Sequence, residues 1–172
     1  MIEHTEQQNK RWFAVYTRNK HEKVVHTQLS KLGIETFLPT REQISQWKDR
    51  KKIIKAPLFP GYLFTWIDLK QDYLKVLSTK GVVTLLGING LPQSIPDDEI
   101  QSLQLVISSN YKYDQYPYLQ KGVKVVVVRG PLEGTVGDIV NKSGKFKLKV
   151  SVELIKSSIL IDIDANDVEV MQ

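Results

Sequence analysis

The stretch Pro57-Leu58-Phe59-Pro60-Gly61-Tyr62-Leu63-Phe64-Thr65-Trp66-Ile67 decides the fold of the first part of this chain. Its first five residues predict a turn, because proline cannot donate to a strand ladder and glycine accepts turn conformations. The six residues from Tyr62 to Ile67 are an uninterrupted apolar run, which is typical of a strand buried on both faces. The stretch therefore predicts a turn that leads into the central strand of a sheet.

Further strands and helices are predicted on both sides of this stretch. Strands are expected at 11–17, 34–38 and 82–86, and a hairpin at 42–47 and 51–55 has the charged tip Lys48-Asp49-Arg50. Helices are expected after Lys20, ending at Gly33, at 69–77, and after Pro96, where three acidic residues suit a helix N-terminus. This order predicts an α+β sandwich, with two or three helices on one antiparallel-type sheet.

The last third of the chain has a different pattern. Residues 110–119 lose periodicity and contain four tyrosines, which indicates an extended linker. Short strands follow at 123–129, 135–140, 146–152, 158–163 and 168–171, so a small five-stranded β-barrel is expected. The predicted organisation is a flexible tail at 1–10, one domain at 11–109, a linker at 110–119 and a barrel domain at 120–172.

The barrel segment is expected to be β in the full chain and in isolation. A helix there would have to absorb the β-branched run from Val123 to Val128, which loses side-chain freedom in a helix. It would also have to absorb Pro131, which costs about 3 kcal/mol in a helix interior.

Composition limits the class of protein. The 172 residues include no cysteine, which excludes disulfides, thiolate metal sites and cysteine nucleophiles and favours a reducing cytoplasm. No stretch is apolar enough to span a membrane, and the polar start is not typical of a signal peptide, so we expect a cytoplasmic protein with no membrane partner.

Positive charge is concentrated near the start of the chain. Residues 1–69 hold twelve basic and seven acidic residues, whereas residues 120–172 hold eight and seven. A one-sided basic region suits a protein that binds phosphate backbones. A solvated face that aids solubility explains the same charge equally well.

The sequence contains no catalytic motif. His21 and His26 are five residues apart and do not share a helix face for a metal, and His4 lies in a polar segment. Ser143-Gly144-Lys145 lacks the glycine spacing of a phosphate-binding loop, and there is no Gly-x-Ser-x-Gly elbow. We expect a protein that is not an enzyme and that uses no cofactor or metal.

The ordered set of motifs resembles the NusG family of transcription elongation factors over residues 11–169. The segments Trp12–Tyr16, Pro57–Phe64, Gly81–Val83 and Ile95–Ile100 are similar to the N-terminal domain of that family, called NGN. Segments 122–125, 130–134 and 148–152 are similar to its C-terminal KOW barrel. Segments 19–23, 33–35 and 46–52 resemble specialised paralogues that antiterminate capsular polysaccharide operons in Bacteroides-like bacteria.

The resemblance implies a binding surface for the clamp helices of RNA polymerase. The matching positions are Tyr16, Phe59, Tyr62 and Phe64. Aromatic residues in strands are more often core, and strand alternation lets about half of these four face inward. We expect Tyr16, Tyr62 and Phe64 to face the partner, since their parity in the two strands is shared.

The resemblance also implies a site for the non-template DNA strand. The matching positions are Arg18, Lys20, His21, Thr79 and Lys80. Their groups can bind phosphate or a guanine edge, and the sequence does not decide between them. For Lys20 a plain solvated helix face is an equally good interpretation.

A loop at 154–157 corresponds to the partner-binding loop of the KOW barrel. Leu154 and Ile155 are its apolar residues. Ile155 stands where the general factor carries an aromatic residue, so the resemblance favours ribosomal protein S10 as the partner and argues against Rho.

The combined hypothesis is a monomeric antitermination factor that binds polymerase and recruits a partner. The alternative is a ribosome-associated or RNA-binding structural KOW protein, which the nearly neutral barrel disfavours.

Overall fold

The computed structural model describes residues 9–109, 111–116 and 122–171. Within those ranges the chain forms three α-helices, fifteen strands and one short 3-10 helix. It divides into two compact units, Met1–Ser94 and Ile95–Gln172. None of the helices in the described ranges is both long and apolar enough to cross a membrane.

The first unit is built on a sheet with the strand order β2-β5-β1-β6. Its elements are β1 (Arg11–Thr17), α1 (Glu22–Lys31), β2 (Glu35–Phe37), β3 (Thr40–Trp47), β4 (Arg50–Pro57), β5 (Tyr62–Ile67), α2 (Leu69–Leu77), β6 (Val82–Leu85), β7 (Gly87–Ile88) and β8 (Leu91–Pro92). Strand β9 (Ser94–Ile95) lies at the division between the units. The predicted central strand and the helix at 69–77 are confirmed with these bounds.

Strands β1 and β5 are antiparallel neighbours at the centre of this sheet, with Tyr16 opposite Tyr62 and Ala14 opposite Phe64. The strand residues of opposite parity pack against α1 and α2 to form the core. From the strands this core contains Phe13, Val15, Leu63 and Ile67, and from the helices it contains Val25, Leu29 and Val76. Fully burying one such side chain contributes about 1.5–3 kcal/mol. The uninterrupted apolar run of β5 is therefore explained by its position between two buried faces.

Gly61 connects the turn before β5 to two other elements. Its φ angle is +88°, a value that glycine adopts without the steric cost other residues meet. Its N–H donates to Oε1 of Glu22 on α1 over 2.7 Å, and its carbonyl accepts from the Thr17 N–H over 2.8 Å. A Cβ atom at this position would lie 3.3 Å from the Tyr16 ring. Helix α1, the end of β1 and the turn are thus held at one residue.

Strands β3 and β4 form a separate two-stranded hairpin. Their register runs from Thr40 opposite Pro57 to Trp47 opposite Arg50, which leaves Lys48 and Asp49 at the tip. Most of the hairpin side chains are exposed. The predicted hairpin is confirmed, and its strands extend further than the sequence pattern indicated.

The second unit combines one helix with a β-sheet. It contains α3 (Asp97–Ser108), β10 (Tyr113–Tyr116), β11 (Val123–Val127), β12 (Val136–Lys142), β13 (Lys145–Val152), β14 (Ser157–Asp162), a 3-10 helix (Ala165–Asp167) and β15 (Val168–Val170). The strand order is β10-β14-β13-β12-β11-β15. The α+β class is confirmed, and so is the prediction that this segment is β in the full chain. Its state in isolation stays a prediction.

Part of the expected linker is a strand. Residues Tyr113 to Tyr116 pair with β14 in antiparallel register, with Tyr113 opposite Ile161. The extended conformation expected for the linker is thus found in these four residues, but as a paired strand, because the edge of β14 offers backbone groups that an extended segment can satisfy. The rest of the predicted linker, 110 and 117–119, and most of the predicted tail, 1–8, lie outside the described residues.

Helix α3 belongs to the second unit by its contacts. Its Ser102 Oγ accepts a hydrogen bond of 2.9 Å from the Val136 N–H of β12. Oε2 of Glu99 accepts one of 3.2 Å from the Glu153 N–H, just after β13. The compact units therefore divide ahead of α3, whereas the sequence pattern placed the boundary at residues 110–119.

Replacing Glu22 tests the junction at Gly61. We expect Glu22→Ala to destabilise the first unit by about 1–3 kcal/mol, because the Gly61 N–H loses its acceptor. Urea unfolding followed by tryptophan fluorescence measures this, since all three tryptophans lie in the first unit. Glu22→Gln is the control, because it keeps an acceptor oxygen and should lose less. Equal stability of Glu22→Ala and wild type would contradict the account.

The packing of α3 should depend on pH through Glu99. Burial raises the pKa of this carboxyl from 4.5 to about 7, against the lowering effect of its hydrogen bond from the Glu153 N–H. The protonated form is favoured in the packed state, so this stabilisation is complete below 4.5 and is lost as pH rises through about 7.

An NMR pH titration of the Glu153 and Val136 amide signals measures this effect. We expect a midpoint near 7 in the wild type and no such step in Glu99→Gln, which keeps an acceptor oxygen but cannot ionise. A wild-type midpoint near 4.5, the value of an unperturbed glutamate, would show that burial does not raise the pKa.

Candidate functional site

Two tyrosines form an aromatic pair at the end of the central strands. Tyr16 and Tyr62 are directly opposite in the register of β1 and β5, and their ring centroids lie 5.4 Å apart at an interplanar angle of 39°. Tyr16 is 40% exposed and Tyr62 is half-buried. We call these two residues the tyrosine pair. The absence of a side chain at Gly61, next to the Tyr16 ring, leaves room for this arrangement.

The other two predicted members of this surface are buried. Phe64 is fully buried, with its ring 6.0 Å from Phe37 and 6.4 Å from Phe59, and Phe59 itself is 3% exposed. The shared parity of Phe64 with Tyr16 and Tyr62 is correct, but the expectation that Phe64 faces a partner is wrong. Strand parity determines which face of the sheet a side chain lies on. On this face Phe64 is covered by Phe37 and Phe59. Phe59 and Phe64 therefore belong to the core and not to the exposed surface.

Four basic side chains lie around the loop that precedes β6. The Arg18 N–H donates to the Gly81 carbonyl over 2.8 Å, which brings the end of β1 to this loop. A Cβ atom at Gly81 would lie 3.0 Å from Cδ2 of His21, so the start of α1 approaches it as well. The structure thus brings the loop that carries Lys80 to three predicted residues that lie about 60 positions earlier in the sequence. We call these four residues the basic loop surface: Arg18, Lys20, His21 and Lys80.

The exposure of these side chains suits an external ligand. Arg18, Lys20 and Lys80 are exposed and His21 is half-buried. Lys20 has a φ angle of +60°, and Nδ1 of His21 is 2.9 Å from the Asn19 carbonyl. A left-handed conformation at a residue other than glycine is uncommon and needs support from its surroundings. The tight turn before α1 thus presents Lys20 and His21 beside Lys80.

Thr79 has a structural role that the sequence did not reveal. Its side chain is 7% exposed, and its hydroxyl donates to the Lys75 carbonyl over 2.9 Å. Its own carbonyl accepts from the Val82 N–H over 3.1 Å. The prediction that Thr79 contacts nucleic acid is therefore corrected, because the hydroxyl is used at the C-terminal end of α2.

Thr17 links the tyrosine pair to the basic loop surface. Its side chain is 1% exposed, and the pairing of β1 with β6 shifts register between Tyr16 and Thr17. The buried Thr17 is held by Gly61 on one side, and the next residue, Arg18, is held by Gly81. The two surfaces therefore follow each other along a single fixed segment.

The loop between β13 and β14 presents one of its two predicted contact residues. Residues Glu153 to Lys156 form a turn in which Lys156 has a φ angle of +52°. Leu154 is half-buried, whereas Ile155 is 7% exposed. The expectation that Ile155 offers an apolar contact is wrong in this conformation, because its side chain is part of the core of the second unit. Leu154 remains available in part.

Sequence analysis did not identify Glu22 as a positioning residue. It is 5% exposed and its partner, Gly61, is 39 residues away, so no local spacing connects the two. An acidic residue in the first turn of a helix ordinarily indicates a dipole effect, which is how α1 would be explained. Among the described residues, no group of three or more His, Asp or Glu side chains could hold a metal ion.

Known proteins match this chain along most of its length. The family model described as "Transcription termination factor nusG" matches residues 10–104. The transcription termination/antitermination protein NusG of Thermus thermophilus is 29% identical over 164 residues, which covers 82% of this chain and 89% of that protein. The protein of the same name from Bacillus subtilis is 25% identical over 175 residues, with 93% and 98% covered.

A solved structure also shares the fold. The structure described as "Domain interaction in Thermotoga maritima NusG" has a TM-score of 0.53 and 20% identity, and covers 96% of this chain and 99% of that one. The family match covers more than half of the chain, including the tyrosine pair and the basic loop surface. On this evidence the chain belongs to the NusG family of transcription termination and antitermination factors.

Proposed function

We propose that this protein binds elongating RNA polymerase through its first unit and suppresses pausing or termination, without a catalytic activity of its own. The observation that carries this proposal is the exposed tyrosine pair at the positions that the family resemblance assigns to the polymerase clamp helices. An aromatic residue anchored by neighbouring structure is a typical anchor of a protein interface, since it loses little conformational entropy on binding.

The geometry of the tyrosine pair supports a pre-formed surface. Tyr62 follows the turn at Gly61, and Tyr16 precedes Thr17, so both backbones are fixed by hydrogen bonds at the same junction. The two tyrosine rings also pack against each other. A surface fixed in this way avoids much of the ordering cost of association.

The basic loop surface is proposed to hold the non-template DNA strand. Three exposed cations and a histidine are gathered there on one side of the tyrosine pair. Lysine and arginine side chains bind phosphates with little regard to sequence, whereas arginine can also form two hydrogen bonds to guanine. We assign the contact to Arg18, Lys20, His21 and Lys80 and leave Thr79 out.

The second unit is proposed to recruit a partner through the turn Glu153–Lys156. Leu154 is the apolar residue that this turn leaves partly exposed, since Ile155 is buried. Of the two partners that the resemblance implies for this barrel, ribosomal protein S10 is the one proposed. Rho is left out, because Ile155 stands where the general factor carries an aromatic residue.

We also propose a specialised role, because the segments at 19–23, 33–35 and 46–52 resemble antiterminators of capsular polysaccharide operons. Most residues of the first and third segments are exposed, at the basic loop surface and at the tip of the β3–β4 hairpin. Mapping the protein on the genome tests the specialisation. A recruited factor should occupy few transcription units, whereas a general factor should follow polymerase everywhere.

The tyrosine pair gives a direct test of polymerase binding. We expect Tyr16→Ala/Tyr62→Ala to weaken binding to the elongation complex by at least about tenfold, because two interface anchors are lost. Tyr111→Ala is the matched control, since Tyr111 is also 40% exposed. Affinity is measured by fluorescence anisotropy, with thermal unfolding as a check on the fold. Normal binding by the double variant would contradict the assignment.

The basic loop surface should produce a salt-dependent contact with single-stranded DNA. We expect Arg18→Ala and Lys80→Ala each to lower the slope of log affinity against log salt by less than about one unit, since one phosphate contact contributes about 0.7. Lys70→Ala is the control, because Lys70 is exposed at the start of α2, away from this loop. An unchanged slope in both variants, or an equal change in the control, would reject the site.

A further inference from the structure

The β3–β4 hairpin has a charged surface to which the proposed function assigns no ligand. Each strand has eight residues, which gives an arm of about 26 Å at about 3.3 Å per residue. Both strands pair only with each other in the part of the chain that the structure describes. Two-stranded ribbons are marginally stable alone, and the opposed pair Ile44–Ile53 helps to fix the register. That role leaves the charged residues near the tip unexplained.

Cations lie on both faces of this arm. Because side chains alternate along a strand, Lys51 and Lys55 share one face, whereas Arg50 and Lys52 share the other. Lys48 adds a further positive charge at the tip, and all five side chains are exposed. Residues 40–57 contain six basic residues and two acidic ones. The arm is therefore a positively charged slab rather than a ribbon with one basic side.

Trp47 adds an aromatic ring next to the tip. It is 62% exposed, compared with 8% for Trp12 in the sheet of the same unit. Arg50 stands directly opposite it on the neighbouring strand. An exposed indole beside a guanidinium is able to contact a sugar or a base while the cation holds the neighbouring phosphate.

We propose that the tip of the hairpin enters the major groove of duplex DNA, with one cationic face toward each sugar-phosphate backbone. The major groove of B-form DNA is about 12 Å wide and 8.5 Å deep, and it admits a two-stranded β-ribbon. At about 3.3 Å per residue this depth takes the tip and the strand residues nearest to it, which are Trp47 to Lys52. Lysine and arginine side chains then reach the phosphates on both rims.

The distribution of charge distinguishes this ligand from others. An anionic membrane presents one plane of charge and would meet only one of the two cationic faces. Double-stranded RNA has a major groove too narrow for such an arm. A single DNA strand presents only one line of phosphates and needs only one cationic face. Duplex DNA provides two lines of phosphates, one for each cationic face.

The experiment measures binding of the full chain to a short DNA duplex of mixed sequence at several salt concentrations. We compare a variant of one face, Arg50→Ala/Lys52→Ala, with a variant of the other, Lys51→Ala/Lys55→Ala, and with their combination. Arg50→Ala/Lys52→Ala should lower the logarithmic salt slope by about 1.8. Lys51→Ala/Lys55→Ala should lower it by about 0.9, because Lys55 lies above the part of the arm that enters the groove, and the combination should lower it by the sum of the two. Lys31→Ala/Lys70→Ala is the control, since both residues are exposed outside the hairpin.

Tryptophan fluorescence provides a second measurement. Duplex DNA should quench the wild-type emission, and Trp47→Phe should remove most of this quenching, because Trp47 is the exposed indole of the hairpin. Thermal unfolding of every variant should match the wild type, since none of the substituted side chains is buried.

Several results would overturn the proposal. These are an absence of duplex binding, a loss confined to one face, an equal loss in the control variant, or a larger effect of the hairpin variants on duplex RNA or single-stranded DNA. The binding of polymerase by the tyrosine pair is measured separately, so either proposal can fail without the other.

Discussion

The geometry of the first unit depends on the hydrogen bonds made by one glycine. Gly61 donates to a buried glutamate of α1 and accepts from the backbone of Thr17, in a conformation that glycine alone adopts without strain. The same residue leaves room for the Tyr16 ring. A turn that would otherwise be mobile is thereby tied to a helix and to a central strand. The backbone that carries the surfaces on either side of Thr17 is held by these hydrogen bonds.

Two different surfaces therefore lie next to each other along one short segment. Tyr16 and Tyr62 offer aromatic surface, Arg18 begins a basic surface, and the buried Thr17 separates them. Burial of apolar rings favours association with a protein, whereas exposed cations favour phosphates and lose strength as salt is added. We therefore propose that two kinds of partner bind side by side, without rearrangement of the sheet.

Sequence patterns predicted those elements whose local signal agrees with their environment. The run from Tyr62 to Ile67 is largely apolar because both faces of β5 are covered. The apolar residues of α2 recur at helical spacing because one face of this helix packs against the sheet. Patterns were less informative where distant residues decide the outcome. The burial of Phe64 depends on Phe37 and Phe59, and the burial of Ile155 depends on the core of the second unit.

Strand formation at Tyr113 likewise depends on an edge that lies 45 residues further along the chain. The candidate site shows the same limit. Resemblance suggested the positions, and alternation predicted that Tyr16, Tyr62 and Phe64 share a face of the sheet, but neither gives the exposure of a side chain. Exposure is a property of packing, so Tyr16 and Phe64 look equivalent in the sequence and differ in the fold.

Hydroxyl-radical footprinting of the full chain, free and bound to the elongation complex, tests the central claim most directly. The account predicts that oxidation of Tyr16 falls on binding while that of the equally exposed Tyr111 does not. Unchanged oxidation of Tyr16 in the bound state would contradict it.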